Sequence, residues 1–227
     1  MTRLSDAIRD AKRKGVYPVI GEVKVRSPRD GDLLGGRDPA TLAGEMVEAG
    51  AVAVSVVTEQ KSFGGSLEIL REVRRAVGVP LLRKDFITSE RQVREERGID
   101  AILIICSMLG DPRLEEINSA CLREGIEPLI EIHSETEIAR ANSLRPSLIG
   151  INNRDILRLE IDDGDVSTTK RLAPLAHKGA VVVSESSIST RADVEEAIRS
   201  GADAVLVGTA LLKASSVKEK LRELIGR

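Results

Sequence analysis

The chain has 227 residues, 41% hydrophobic and 31% charged, so it carries enough apolar material for a folded core and is not a disordered tail. Its 34 basic and 36 acidic residues leave a formal charge of −2, which gives neither nucleic acid nor an anionic membrane surface an electrostatic handle. With two Phe, one Tyr and no Trp, the core has to be aliphatic.

Along the chain, short Val- and Ile-rich runs alternate with longer amphipathic segments. Leu4–Lys14 is amphipathic and has no strand before it. The expected strands are Val19–Val23, Ala53–Val57, Pro80–Arg83, Ala101–Ile105, Pro128–Ile130, Leu148–Ile151, Ala180–Ser184 and Ala204–Val207. Expected helices lie between them at Pro39–Ala49, Ser66–Val77, Ser89–Arg97, Pro112–Glu124, Glu135–Ser143, Ser167–Leu175 and Arg191–Ser200, with Ser216–Ile225 after the last strand. Asp38-Pro39 and Asp111-Pro112 read as N-caps followed by Pro at the first helical position. Gly50, Gly78, Gly98, Gly125 and Gly201 stand just past helix ends.

Eight strand–helix units in a row are what an α/β fold of the (β/α)8 barrel type requires, here with an extra N-terminal helix. An open doubly wound sheet would want a Gly-rich turn after its first strand, and "KVRSPRDG" is not G-x-G-x-x-G. With no long Pro- or Ser-rich linker, residues 1–227 are expected to form one domain. No apolar run approaches the ~18 residues of a membrane span, and the N-terminus lacks a signal-peptide apolar stretch. Cys106 and Cys121 have no C-x-x-C or paired His spacing and read as buried thiols. The expected location is therefore the cytoplasm.

In such barrels the active site is built at the C-terminal ends of the strands. Those ends carry charged and polar residues: Glu22 and Lys24, Lys84, Glu131, Asn152 and Arg154, and Glu185. Residues i and i+2 of a strand share a side, so Glu22 and Lys24 point together, and the expected direction is the barrel mouth. The opposite strand ends, "KRKGVYP" and "SGADA", show no comparable set. The loops "SESSIST" and "VGTAL" place small residues where a backbone can approach an anion, the recurrent phosphate site of barrels. Phe63 and Phe86 lie near the mouth as candidate walls for a flat ring, with core packing the alternative for Phe86. His133 and His177 lack partners at ligand spacing and read as surface or capping residues, so no metal site is expected. Ser184 and Ser186 have no His–Asp arrangement beside them.

Taken together, "VIGEVKVRSP", "VVTEQKSFGGS", "LLRKDFI", "EPLIEIH", "IGINNRD", "VSESSIS" and "LVGTALL" resemble the indole-3-glycerol phosphate synthase family of tryptophan biosynthesis. The resemblance covers nearly the whole chain in order and spacing. It implies a lyase that closes the indole ring of 1-(2-carboxyphenylamino)-1-deoxyribulose 5-phosphate with loss of carbon dioxide and water, and no cofactor. By the same resemblance Lys84 matches the principal general acid and Glu131 a second acid–base residue. Lys24 matches a contact to the anionic substrate, and Glu22 a carboxylate that orients the cations. Asn152 and Glu185 fall at further catalytic positions, and Ser27 and Arg154 at substrate-binding ones. Ser186, Gly208 and Thr209 fall at phosphate-loop positions, and Phe63 and Phe86 at aromatic contacts. The implied partners are the small phosphorylated substrate and other enzymes of the tryptophan pathway.

One departure matters most. The family pattern after strand seven is E-S-G, and here Ser187 stands where the glycine would be, so a Cβ either crowds the phosphate or sits at an unfavourable φ. Thr209 in place of a common Ser is milder. The alternatives are another phosphate-binding barrel, such as phosphoribosylanthranilate isomerase, or a barrel that binds a phosphorylated ligand without catalysis. The first would want a mouth-facing Cys–Asp pair, and the second has no need of Lys84 with Glu131.

Overall fold

The computed structural model describes residues 3–154 and 165–226. Eight parallel strands close into a barrel: β1 (Val19–Val23), β2 (Ala53–Val57), β3 (Leu81–Lys84), β4 (Ala101–Ile105), β5 (Glu127–Ile132), β6 (Leu148–Asn152), β7 (Val181–Glu185) and β8 (Ala204–Val207). Each strand pairs with its sequence neighbours, and β1 closes the ring by pairing Ile20 with Leu206 of β8 and Glu22 with Ser55 of β2. Around it lie α1 (Leu4–Arg13), α2 (Pro39–Ala49), α3 (Leu67–Ala76), α4 (Glu90–Arg94), α5 (Asp111–Arg123), α6 (Glu135–Ser143), α7 (Ser167–Leu172), α8 (Arg191–Arg199), α9 (Thr209–Lys213) and α10 (Val217–Ile225).

Period-2 alternation divides the core in two. Outward residues such as Val54, Val56, Ile102, Ile104, Ile130 and Val205 pack under the helices, and inward residues such as Ile20, Leu82, Leu103, Leu129, Val183 and Leu206 fill the barrel. Leu4 and Ile8 of α1 join the inner set. The N-terminal end is held by Glu127, a buried carboxylate that accepts hydrogen bonds from Ser5 N (3.0 Å), Ser5 Oγ (2.6 Å) and Ser147 Oγ (2.9 Å) and pairs with Arg3 (2.8 Å). The extra helix is thus anchored through its first-turn amide and hydroxyl, where a carboxylate also meets the positive end of the helix dipole.

Side-chain caps start several helices: Asp38 accepts from Thr41 N at 2.7 Å, Ser66 from Ile69 N and Ser216 from Glu219 N, both at 3.2 Å. Asp111 is not a cap. Gly110 occupies that position and Asp111 opens the first turn of α5, where it pairs with Arg140. Gly50, Gly98, Gly125 and Gly201 take the left-handed conformation past their helices, but Gly78 does not, because α3 ends through an extended Val77.

Four segments depart from the sequence reading. The helix expected over Ser89–Arg97 is only Glu90–Arg94, and the carbonyl of Gln92, which would accept from residue 96 in a longer helix, receives Arg83 Nη1 instead (2.9 Å). The helix expected over Ser167–Leu175 stops at Leu172 and finishes as a 3-10 turn at Ala173–Leu175, since Pro174 has no N–H to continue the ladder. Beyond β1 the chain forms a small antiparallel ribbon, Arg26–Ser27 against Gly31–Asp32, and beyond β8 the short helix α9; neither was expected.

Replacing Glu127 by Gln weakens the acceptor for two hydroxyls, one amide and an Arg in a buried site, and is expected to cost about 1–3 kcal/mol. Urea unfolding should show the midpoint falling with an unchanged slope.

Candidate active site

The inward positions of the last strand layer carry the charges. Ile20 is followed by Glu22, Leu82 by Lys84, Leu129 by Glu131, Leu148 by Gly150 and Asn152, Val183 by Glu185, and Leu206 by Gly208. Lys84 Nζ lies 2.9 Å from Glu185 Oε2 and 3.5 Å from Glu22 Oε2, and Lys24 Nζ lies 3.1 Å from Glu22 Oε1. Two cations and two carboxylates thus form one chain, Lys24–Glu22–Lys84–Glu185, almost wholly buried. Such charges are tolerable away from water only when paired. Burial pushes the Glu22 carboxyl upward, but the charges and hydrogen bonds of Lys24 and Lys84 outweigh it and hold the group below its ordinary value.

Two glycines make room for the carboxylates. A Cβ on Gly150 would lie 2.2 Å from Glu185 Oε1, and one on Gly208 would lie 2.5 Å from Glu22 Oε1. Neither glycine is needed for its φ; each leaves a niche that a carboxylate occupies.

Two clefts share the charged chain. The first is lined by Glu22, Lys24, Lys84, Phe63, Phe86, Asp85, Glu59, Glu131 and aliphatic residues that include Leu103 and Ile105. Phe63 and Phe86 meet edge to face with centroids 6.4 Å apart, and Lys24 Nζ stands 5.9 Å from the Phe63 ring. The second is lined by the same Glu22, Lys24 and Lys84 with Arg154, Ser186, Ser187, Leu206, Gly208 and Thr209. One end is therefore aromatic and apolar, the other small, polar and cationic. A ligand with a flat ring at one end and an anion at the other fits that polarity, with Lys84 between them.

Among the remaining expected site residues, Asn152 and Glu185 are buried beneath the clefts rather than lining them; Asn152 Oδ1 accepts from Arg154 N at 3.0 Å. Ser27 lines neither cleft, and its hydroxyl accepts from Asp30 N (2.9 Å) within the ribbon loop. Ser187 adopts φ +59°, and Ser186 before it φ +65°. A left-handed conformation costs an L-residue roughly 1–2 kcal/mol. The side chain that glycine would lack is used here, since Ser187 Oγ accepts from Arg154 Nε at 3.1 Å. Asp155, the last residue of the "IGINNRD" run, lies outside the described residues.

Residues not singled out as site residues from sequence support this set. Arg83, outward on β3 and buried, donates to Thr58 Oγ1, Asp85 Oδ2 and Glu95 Oε2, while Asp85 Oδ1 accepts from Phe86 N; this ties down the loop that follows Lys84. Glu59 accepts from the amides of Lys61, Ser62 and Phe63 and so shapes the loop that presents Phe63. Of the two roles expected for His133, surface or capping, the half-buried ring takes the capping one. Its Nδ1 donates to the carbonyl of Asn152 (2.9 Å), which fixes the tautomer and the end of β6; His177 likewise reaches the carbonyl of Pro146 (2.7 Å). Asn153 joins β6 to β7 through bonds taken up below. The signal for Asp85 and Asn153 was present, since both lie inside quoted motifs, but neither is at an inward position. Both cysteines are buried, Cys106 pushed up to about 11 and Cys121 to about 12 by burial, and neither lines a cleft.

Residues 1–224 match the family model described as indole-3-glycerol phosphate synthase. Curated relatives of that name include proteins of Pyrococcus furiosus and Thermococcus kodakarensis, each 46% identical over 224 residues, which is 98% of this chain and 96% of theirs. The protein of that name from a Nocardioides species is 46% identical over 210 residues, 92% of this chain and 80% of its own.

The depressed Glu22 carboxyl has a consequence for acid stability. Its stabilising share is fully present above the ordinary value of 4.5 and is lost as pH falls through the lower folded value. In denaturant titrations the gap between the native chain and Glu22→Gln should be constant above that pH and narrow below it. A gap that stays constant into strong acid would show that the carboxyl is not depressed.

Proposed function

The chain belongs to the indole-3-glycerol phosphate synthase family, and from that premise we propose how its mouth residues divide the reaction between them. The activity is that of a carbon–carbon lyase of tryptophan biosynthesis. It converts 1-(2-carboxyphenylamino)-1-deoxyribulose 5-phosphate to indole-3-glycerol phosphate with release of carbon dioxide and water. Neither the isomerase nor the non-catalytic barrel accounts for a family match over residues 1–224.

The substrate's aryl ring lies in the first cleft against the Phe63–Phe86 pair, with its carboxylate toward Lys24. Its phosphate lies in the second, where Arg154 supplies charge and Ser186, Ser187, Gly208 and Thr209 supply hydroxyls and amides. The ketone then falls near Lys84, which lines both clefts. The ring carbon bearing the carboxylate attacks the ketone carbon while Lys84 gives its proton to the ketone oxygen, which becomes a hydroxyl. Carbon dioxide leaves with the C–C bond pair returned to the ring, restoring aromaticity. The hydroxyl departs as water on receiving a second proton, and loss of a proton from the adjacent carbon completes the pyrrole. Glu131, on the wall of the first cleft, serves that second proton exchange. Glu22 and Glu185 hold Lys84 in place and aim it, and Asn152 acts as a further polar contact beneath the ketone. Ser27 shapes the first loop and through it the substrate entrance.

The observation that carries this division is Lys84 held between two buried carboxylates where the clefts meet. Among the described residues no helix is long and apolar enough to cross a membrane. We place the enzyme in the cytoplasm, acting on a small phosphorylated molecule alongside other enzymes of its pathway, and take the barrel as one domain.

A steady-state assay following indole fluorescence with the carboxyphenylamino substrate tests the activity directly. Lys84→Ala should lower kcat by roughly 10²–10⁴-fold in a chain that still folds, and near-native turnover would remove Lys84 from the acid's role. Glu131→Gln keeps shape and hydrogen bonding but cannot exchange a proton, so kcat should fall steeply with little change in KM; a rise in KM alone would make it a binding contact. Gly150→Ala pushes the Glu185 carboxylate from its niche and should lower kcat by about 10²-fold through misplacement of Lys84, with the far-UV circular dichroism unchanged.

A further inference from the structure

The loop after β7 holds two consecutive non-glycine residues, Ser186 and Ser187, at φ +65° and +59°. Something outside the pair has to hold it there, because nothing in a serine favours that conformation. The surrounding structure supplies one candidate: Asn153, which is buried and does not line the second cleft.

Its side-chain amide Nδ2 donates to Ser184 Oγ (3.0 Å), to the carbonyl of Glu185 (3.0 Å) and to the carbonyl of Ser186 (3.2 Å), so two N–H bonds are shared among three acceptors. Its backbone N donates to the same Glu185 carbonyl at 2.9 Å. On the other side, Oδ1 accepts from Thr169 N (3.0 Å) and Thr169 Oγ1 (2.9 Å), and Thr169 Oγ1 lies 2.7 Å from Ser184 Oγ. The proton directions close on themselves. Thr169 gives its hydroxyl proton to Asn153 and therefore accepts from Ser184, which in turn accepts from Asn153. The amide cannot be flipped, because its N–H groups would then face the Thr169 amide and its oxygen would face two carbonyls.

We propose that Asn153 is a positioning residue for phosphate: it clamps the Ser186–Ser187 pair in the left-handed conformation that turns the pair toward the second cleft. Asn153 touches no substrate itself. The inference rests on reading the second cleft as the phosphate end. It also explains how this chain carries a serine where the family pattern has glycine. Glycine would reach φ > 0 unaided, whereas here Asn153 just after β6, Ser184 of β7 and Thr169 of α7 enforce it.

Calorimetric titration of indole-3-glycerol phosphate and of its dephosphorylated counterpart, indole glycerol, into the native chain and Asn153→Ala tests the clamp. The variant should bind the phosphorylated ligand about tenfold or more weakly and indole glycerol within about twofold of native. In a Ser187→Gly background, where the loop favours φ > 0 by itself, the same Asn153→Ala change should cost about threefold or less. Thr169→Val removes the hydroxyl bond to the amide oxygen, leaves the backbone one, and does not touch the loop; it should show a smaller loss with the same selectivity for the phosphorylated ligand, and it decides the matter if Asn153→Ala does not fold. Unchanged affinity in the folded variants, or equal weakening of both ligands, would reduce Asn153 to scaffolding and overturn the proposal. If the native chain itself bound both ligands equally, the phosphate reading would fall, and the clamp's role with it.

Discussion

A closed parallel barrel leaves no water among its inward side chains, so each inward position must be filled by hydrocarbon or neutralised on the spot. Everything at the mouth of this protein follows from that constraint. The lower layers are aliphatic, with Leu4 and Ile8 of α1 added to the inner set. The top layer is charged, and its charges survive burial because each cation touches at least one carboxylate along the chain Lys24–Glu22–Lys84–Glu185. Lys84 consequently sits between two anions, which fix the place of its side-chain nitrogen where the clefts meet.

Neutralisation has to be matched by space. Gly150 and Gly208 are inward positions with no side chain, and the volumes they leave are those the Glu185 and Glu22 carboxylates occupy. Outward positions at the same level do a different job. Arg83 turns its guanidinium under the short α4, satisfies four acceptors there, and through Asp85 holds the backbone of Phe86. Inward residues thus carry charge to the clefts, while outward neighbours one position away fix the loops that shape them.

The loops show how local chemistry replaces a missing rule. Glu59 folds its own loop around its carboxylate and so presents Phe63, which stands beside Phe86 and under Lys24. After β7 the chain holds φ > 0 at two serines rather than at a glycine, and the second serine lends its hydroxyl to Arg154. Side chains reaching in from the loop after β6 and from α7 account for that geometry better than the residues that adopt it.

The amino-acid sequence by itself determined the eight strand–helix units, the barrel, and the charged positions at strand ends, because period-2 alternation and helix caps are written within a few residues of one another. Glu22, Lys24, Lys84, Glu131 and Glu185 were legible for that reason: each is a charge in or beside an apolar run. Only the tertiary structure decided which of them touch, that two glycines are carboxylate niches, and that His133, Arg83 and Asn153 hold the site from behind. Most of those relations join residues 19 to 186 positions apart, through strands that meet only when the barrel closes. The truncation of α4 has the same origin, since the Arg83 that takes its carbonyl comes from a strand beneath the helix. A spacing along the chain cannot encode such contacts, because closure of the sheet is what brings their partners within reach.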